Sequence, residues 1–489
     1  MNFVLFYPET VRADAVIDKG IARAQTPTLD RIAKEGVTFS NCFAQSPFCT
    51  PSRCSTFTGT YPHVRGHRSL MHLLHPDERN LFQDLHEAGY ETVCFGKNDL
   101  VADGAVNNSF DIFNPSVLPK ESTKPVHSEY DNPEHKYYSA FYRGSLGNSP
   151  VQDADWAYVE SALQYIDKKP TKPFCLFLPL HYAHPPYQVE EPFFSLHNRE
   201  DVPEPIPTVD RDGRGGFDFL RRSRKLGRLD SDDFREIKAV YFGMISRLDY
   251  QLGLIVEKLE QTNLLNSTAL FYLSDHGDYA GDYGQVEKWN YGFDDCLLNV
   301  PLIARIPGFS AAGMCMDLVE SIDIYPTILE LASVDTGHYH MGTSLVSLMR
   351  GGSHDPRRGG KSAVFAEAGW NTDEHHCFTP LDVAVGRYAA TAKASRKNAR
   401  FCTRSVMIRT DRYKYVYSPD ERDELFNLVE DPSCTKNIAD DPETVPTRQE
   451  LRSGILEWLV KTSDTVPLVP DARSFPQAGI RRDNITELR

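Results

Sequence analysis

The chain has 489 residues, 40% hydrophobic and 25% charged, which suits an ordinary globular protein with one large α/β domain and a smaller one. A formal net charge of -15 excludes a general nucleic-acid binder, which needs a basic surface. No apolar run is long enough to span a bilayer, and ten cysteines in a chain of this size do not form a disulfide scaffold, so they read as reduced thiols in a cytoplasmic protein.

The first element is NFVLFY (2–7). It lacks a basic n-region and a small-residue cleavage site, so it reads as a buried strand and not a signal peptide. TPTLDRIAKEG (26–36) has helical spacing and a terminal glycine. In SPFCTPSRC (46–54) a second helix starts, with Pro51 suited to its first turn. Cys49 in this stretch could be a metal ligand, a disulfide half, a thiol nucleophile or the precursor of another group. NLFQDLHEAGY (80–90) is again helical. Cys94 in ETVCFG and Cys175 in FCLFLPL read as small buried hydrophobes. Residues 103–150 and 187–232 read as long loops over the active face. PFCLFLPLHY (173–182) and TALFYLSDHG (268–277) are further buried strands, separated by a long helical pattern over 233–265. Residues 352–361 read as a linker. Beyond it, 406–432 alternates as a small antiparallel sheet does, and 445–461 reads as a covering helix.

The predicted fold is therefore α/β: a large, mostly parallel sheet sandwiched by helices, residues 1–355, with a smaller C-terminal antiparallel-sheet subdomain, residues 356–489. In such folds ligands bind beyond the carboxyl ends of the strands. Those ends carry Glu9-Thr10, His181 to His184, and Ser274-Asp275-His276. Carboxylate oxygens with a neutral imidazole can hold a divalent cation, which gives Glu9, Asp275 and His276 a shared purpose.

Cys49-Thr50-Pro51-Ser52-Arg53 resembles the Cys-x-Pro-Ser-Arg signature of the sulfatase family, within the alkaline phosphatase-like superfamily. Further segments follow in the family's order: TGTYPH (58–63), AGY through GK (88–97), HPP (184–186), SDHGD (274–278) with Gly281 and Lys288, VPL through PG (300–308), and the C-terminal RYKYV and ELFNL. The resemblance implies that Cys49 is oxidised after synthesis to formylglycine by a formylglycine-generating or anaerobic maturase enzyme. The hydrated gem-diol is then the nucleophile: one hydroxyl attacks sulfur, and the other expels sulfate after the alcohol departs. A plain serine would be trapped as a stable ester. The resemblance further implies that Glu9, Asp275, His276 and residue 49 hold one divalent metal. Calcium is the expected ion, with manganese, magnesium and zinc open. Arg53 supports residue 49, Lys97 and Lys288 clamp sulfate oxygens, and His184 donates to the bridging oxygen or the leaving group.

Two positions depart from the family pattern. Thr10 stands where a second carboxylate is usual, and Asp99 stands where a histidine follows the Gly-Lys pair. His67 and Arg68 are candidates to compensate, so His67, Arg68 and Asp99 are the expected substrate contacts. The His72 and His75 region and the loops near 103–150 and 370–400, with His375-His376 beside Trp370, are further candidates. The expected function is a sulfuric ester hydrolase acting on a sulfated sugar or a small sulfate ester. A phosphonate monoester or phosphodiester hydrolase using the same site is the alternative, and a non-catalytic homologue a third.

Overall fold

The computed structural model describes residues 1–114, 128–149, 151–208, 215–289, 291–352 and 361–468. The expected boundary at 355/356, most of the expected linker and part of the 103–150 loop lie outside the described residues. The strands are β1 Asn2–Pro8, β2 Val37–Phe43, β3 Glu91–Phe95, β4 Ile112–Asn114, β5 Tyr142–Ser145, β6 Phe174–Leu180, β7 Tyr187–Val189, β8 Thr268–Leu273, β9 Asn299–Arg305, β10 Gly313–Glu320, β11 Val364–Ala368, β12 Ser405–Arg409, β13 Tyr413–Tyr417 and β14 Glu424–Asn427. Eight of them form one sheet in the order β10-β2-β9-β8-β1-β6-β3-β4. Only β9 runs against its neighbours; every other pair is parallel.

The continuous apolar run of β1 follows from its place near the sheet centre, with both faces covered. Val4 and Phe6 point to a core shared with the helix Ser231–Gln261, while Phe3, Leu5 and Tyr7 point to a core shared with the helices Cys49–Thr58 and Leu81–Glu87. The long helix starts at a capping box, with the Asp230 carboxylate accepting from Asp233 N at 3.0 Å. Its apolar positions Ile237, Tyr241, Ile245, Leu248, Leu252 and Ile255 recur every three or four residues and are buried.

The two stretches expected as loops hold short regular elements. β4 is the edge strand of the main sheet, β5 and β7 form a parallel two-stranded ribbon, and Gly215–Ser223 is a helix. Strands of three or four residues are too short to show a period in sequence. In the C-terminal part, β11 to β14 make an antiparallel sheet covered by the helix Val445–Thr462, which packs Leu451, Ile455 and Trp458 against Ile408 and Tyr415. This sheet does not stand apart. Phe43, Phe293, Leu298 and Leu318 share a core with Val364, Ala366, Met407 and Val416, and Glu367 N donates to Gln45 O at 2.8 Å.

Candidate active site

The carboxyl ends of β1 and β8 are adjacent because the strands pair in parallel register. Ser274 locks the two ends together: its hydroxyl donates to Pro8 O at 2.8 Å and accepts from Val11 N at 2.9 Å. Asp275 Oδ1 accepts from Thr10 N at 3.1 Å and from His276 N at 2.9 Å. The helix Cys49–Thr58 is tied to the same point. Arg53 Nε donates to Asp275 Oδ2 at 3.0 Å, and Ser52 Oγ donates to Asp275 O at 2.5 Å. Cys49, the first helical residue, thereby faces Glu9 and His276, with Sγ 2.9 Å from Glu9 Oε1 and 3.3 Å from His276 Nε2.

His276 Nδ1–H donates to Gly277 O at 2.8 Å, which leaves the Nε2 lone pair directed at Cys49. Burial pulls its proton affinity down despite the neighbouring Asp275, so the ring is neutral and able to ligate. The ligand atoms of Glu9, Cys49, Asp275 and His276 lie within 4.8 Å of one another, and all four residues are buried. Buried Thr10 Oγ1 and Arg53 Nη2 have no hydrogen-bond partner among the described residues. Two carboxylates, one imidazole lone pair and the unspent Thr10 hydroxyl make a donor set that fits a divalent cation. Thr10 itself has a positive φ of 59°, uncommon for a β-branched residue.

Cations balance this acidic pair. Burial alone would raise the Glu9 carboxyl, but the Lys97 and Arg53 cations hold it well below its usual range. Lys97 Nζ donates to both Glu9 oxygens at 2.8 Å and pairs with Asp99 at 2.7 Å. Gly96 sets the lysine's approach: a Cβ there would overlap Pro179 O and the Pro179 ring. Burial, then Glu9, pushes the Cys49 thiol well above its usual range, so the unmodified thiol is a poor nucleophile.

His184, its Nε2 3.8 Å from Glu9 Oε1, donates Nδ1–H to Pro185 O at 2.7 Å, and Nε2 accepts from Lys288 Nζ at 2.7 Å. Burial, then Lys288, lowers this imidazole to about 4. In this arrangement Lys288, not His184 Nε2, carries the shared proton. Lys288 also donates to Glu287 Oε1 at 2.8 Å, and Arg224 Nη2 donates to Glu287 Oε2 at 2.6 Å. Glu287 and Arg224 escaped sequence reasoning. Arg224 comes from a stretch read as loop, and Glu287 adjoins the motif lysine without a motif of its own.

A cavity of about 320 Å³ opens over Cys49. Lys97, Asp99, His184 and Lys288 line it, together with Trp370, Phe378 and Tyr388 from the C-terminal part. His67 is not brought there. Its ring bonds His72 O at 2.8 Å and Glu78 Oε1 at 2.9 Å, so both nitrogens are spent in a local turn. Arg68 makes a two-pronged pair with Glu374, at 2.9 and 2.5 Å, and does not line the cavity. Of the expected aromatic group, Trp370 lines the cavity, while His375 and His376 do not. His376 instead meets His72 edge to face, with rings 5.7 Å apart.

Fold and site together define an α/β enzyme with a candidate metal-binding group at the start of a buried helix. A family model for sulfatases matches residues 1–334, and the chain belongs to the sulfatase family of hydrolases. Among characterised relatives it is similar to a multifunctional alkaline phosphatase superfamily protein, PehA, of Trinickia caryophylli, 26% identical over 94% of both chains. It is similar too to arylsulfatase K of Danio rerio, 25% identical over 94% of this chain and 84% of that one. Among solved structures the fold matches the phosphonate monoester hydrolase of Agrobacterium radiobacter, with a TM-score of 0.74, 22% identity and coverage of 94% and 96%. It also matches BT1596, a 2-O GAG sulfatase, with a TM-score of 0.72, 21% identity and coverage of 94% and 92%.

Proposed function

We propose that the chain is a sulfuric ester hydrolase that removes sulfate from a sulfated sugar or small sulfate ester. The observation that carries this is the meeting of Glu9, Asp275 and His276 with Cys49 at the first turn of a buried helix. Glu9, Asp275, His276 and residue 49 would hold one divalent cation, calcium being the ion expected for a site dominated by oxygen ligands. That cation and a formylglycine derived from Cys49 supply an acidified attacking hydroxyl and a second hydroxyl for release of sulfate. The maturing enzyme is a formylglycine-generating or anaerobic maturase partner.

The chain's own residues do the rest. Arg53 fixes Asp275 through Nε and faces Glu9 with Nη2, 3.8 Å from Oε2, so its charge offsets both buried carboxylates. Lys97 and Lys288 both line the cavity over Cys49, where they would hold sulfate oxygens as charge builds. The Lys288–His184 pair holds the proton that the leaving alcohol needs. Asp99 stays as a substrate contact through its place in the cavity, whereas His67 and Arg68 are committed elsewhere. Among the described residues no helix is long and apolar enough to cross a membrane.

The relatives named for phosphonate monoester hydrolysis and for multifunctionality favour a second reading, in which phosphorus esters are the better substrates. One experiment separates the two. The intact mass should first show the change from thiol to aldehyde at residue 49. The metal-loaded protein should then cleave aryl sulfates with a higher kcat/KM than aryl phosphonates and phosphodiesters. A reversed order selects the second reading, and no turnover by fully converted protein rejects both.

A further inference from the structure

The lining of the cavity over Cys49 includes four buried polar atoms with no hydrogen-bond partner among the described residues: Trp289 Nε1, Trp370 Nε1, Tyr388 Oη and Thr391 Oγ1. A buried donor left unpaired is costly, so each of them calls for a partner that arrives from outside the fold. Tyr388 borders the charged side of the cavity. Its ring lies 6.4 Å from that of His184, and its phenol feels the charges of Glu287, Lys288, Arg224 and Glu9. It is held there from two directions. The Tyr388 ring packs on Phe141, with centroids 4.7 Å apart. The preceding Arg387 donates to Tyr138 O at 2.5 Å, Tyr130 O at 2.9 Å and Asp131 Oδ1 at 2.8 Å. The helix Ala389–Lys397 starts directly after it. These ties use Arg387 and the face of the Tyr388 ring, and they leave the hydroxyl free to turn into the cavity. Burial, then the Glu287 charge, keeps the phenol proton on well above its ordinary range, so the hydroxyl is a neutral donor.

We infer that Tyr388 is a catalytic residue, whose hydroxyl donates to an oxygen of the transferred sulfuryl group beside Lys288. This rests on the proposed ester hydrolysis and adds to it a donor from outside the motif residues, supplied by the C-terminal part. The acceptor follows from the charges around it. Lys288 and Arg224 against Glu287 leave one net positive charge on this side of the cavity. An anionic oxygen suits that field better than the neutral hydroxyl of an alcohol does. A donor already fixed in a buried site needs no reorganisation as charge builds in the transition state, which is where it contributes most. Lys97 and Lys288 bring point charges, and Tyr388 brings a directed hydrogen bond on a rigid ring.

The test uses Tyr388→Phe, which keeps the ring and removes only the hydroxyl. In the mature, metal-loaded enzyme, kcat/KM for 4-nitrophenyl sulfate should fall about 10²–10³-fold. Sodium sulfate titrated into metal-loaded Cys49→Ala protein gives a second readout that needs neither turnover nor an alcohol. There the added Tyr388→Phe change should weaken sulfate about tenfold or more. The thermal midpoint of the ligand-free protein should stay or rise, because the lost hydroxyl had no partner. An unchanged kcat/KM, an unchanged sulfate affinity, or no sulfate binding with Tyr388 in place overturns the inference. A lower midpoint for Tyr388→Phe also overturns it, since the hydroxyl would then serve the fold. Failure of the hydrolytic reading shows differently: the mature enzyme then cleaves no sulfate ester, while the sulfate titration still reports whether the phenol meets the anion.

Discussion

At the scale of single residues, one buried lysine divides its protons between two partners. Lys288 gives one to His184 Nε2 and one to Glu287, which leaves a third for the substrate side. Glu287 holds the lysine by one oxygen and Arg224 by the other, so it is a positioning residue between two buried cations. Glu287→Gln keeps the shape but removes the anion. Lys288 then loses its fixed direction, and Arg224 remains buried without a counter-charge. Kcat should fall about 10- to 100-fold with KM little changed, because misplacement of a clamping group is felt chiefly in the transition state. The midpoint of thermal unfolding should fall too, since a buried pair broken on one side costs about 3–5 kcal/mol. Steady-state kinetics well below the melting range keep these effects apart, and Glu287→Asp should recover part of kcat. If kcat is unchanged while stability drops, Glu287 is only a structural counter-ion.

At the scale of elements, the strands and helices with a full period were readable. NFVLFY, the run at 174–180 and the long helix each carry enough residues to show which faces are covered, and the fold rule then placed Glu9 and Asp275-His276 on one side of the sheet. What stayed hidden depends on contacts between distant short pieces. Arg224 reaches Glu287 from 63 positions away, and Trp370 closes the cavity over Cys49 from another sheet. For His67 the deciding partner is Glu78, whose turn has no sequence period to announce it.

The segment after β7 shows how such a piece couples to a long element. His197 packs on the helix Ser231–Gln261, with Nε2 2.9 Å from Ser246 Oγ, and its ring meets Phe242 edge to face. Burial, then Arg199, lowers its pKa from 6.5 to about 4. Below about 6.5 the unfolded chain takes up a proton that the folded chain refuses. The stabilising effect of this packing is therefore full above that pH and is lost as pH falls toward 4, with an upper bound of about 3 kcal/mol. Thermal melts at about pH 7.5 and about pH 5 should show a smaller acid-side loss for His197→Phe than for the parent. An equal loss in both would place the acid sensitivity elsewhere.

At the scale of the whole molecule, the two sheets share what neither could bury alone. The core of Phe43, Phe293, Leu298 and Leu318 is completed by Val364, Ala366, Met407 and Val416, and Lys361 reaches across to Glu320 and Asp323 at 2.5 and 2.7 Å. Tyr61 packs edge to face on Trp458, with centroids 4.8 Å apart, and the His63 ring bonds both Glu367 and Thr462. A C-terminal part that donates strands to a common core and walls to the cavity over Cys49 cannot open without exposing the other part. Thermal unfolding should therefore follow one cooperative transition in calorimetry, although the chain folds around two separate sheets. Met407 sits fully buried at the seam, paired with Val416 and Ala366 in register. Met407→Ala should cost about 2–5 kcal/mol and move that single transition as a whole. Turnover by the protein that remains folded should also fall, because the loop bearing Trp370 follows β11 out of the same seam. Two resolved transitions, with only the first shifted by Met407→Ala, would mean that the sheets unfold independently and that the shared core is too weak to couple them.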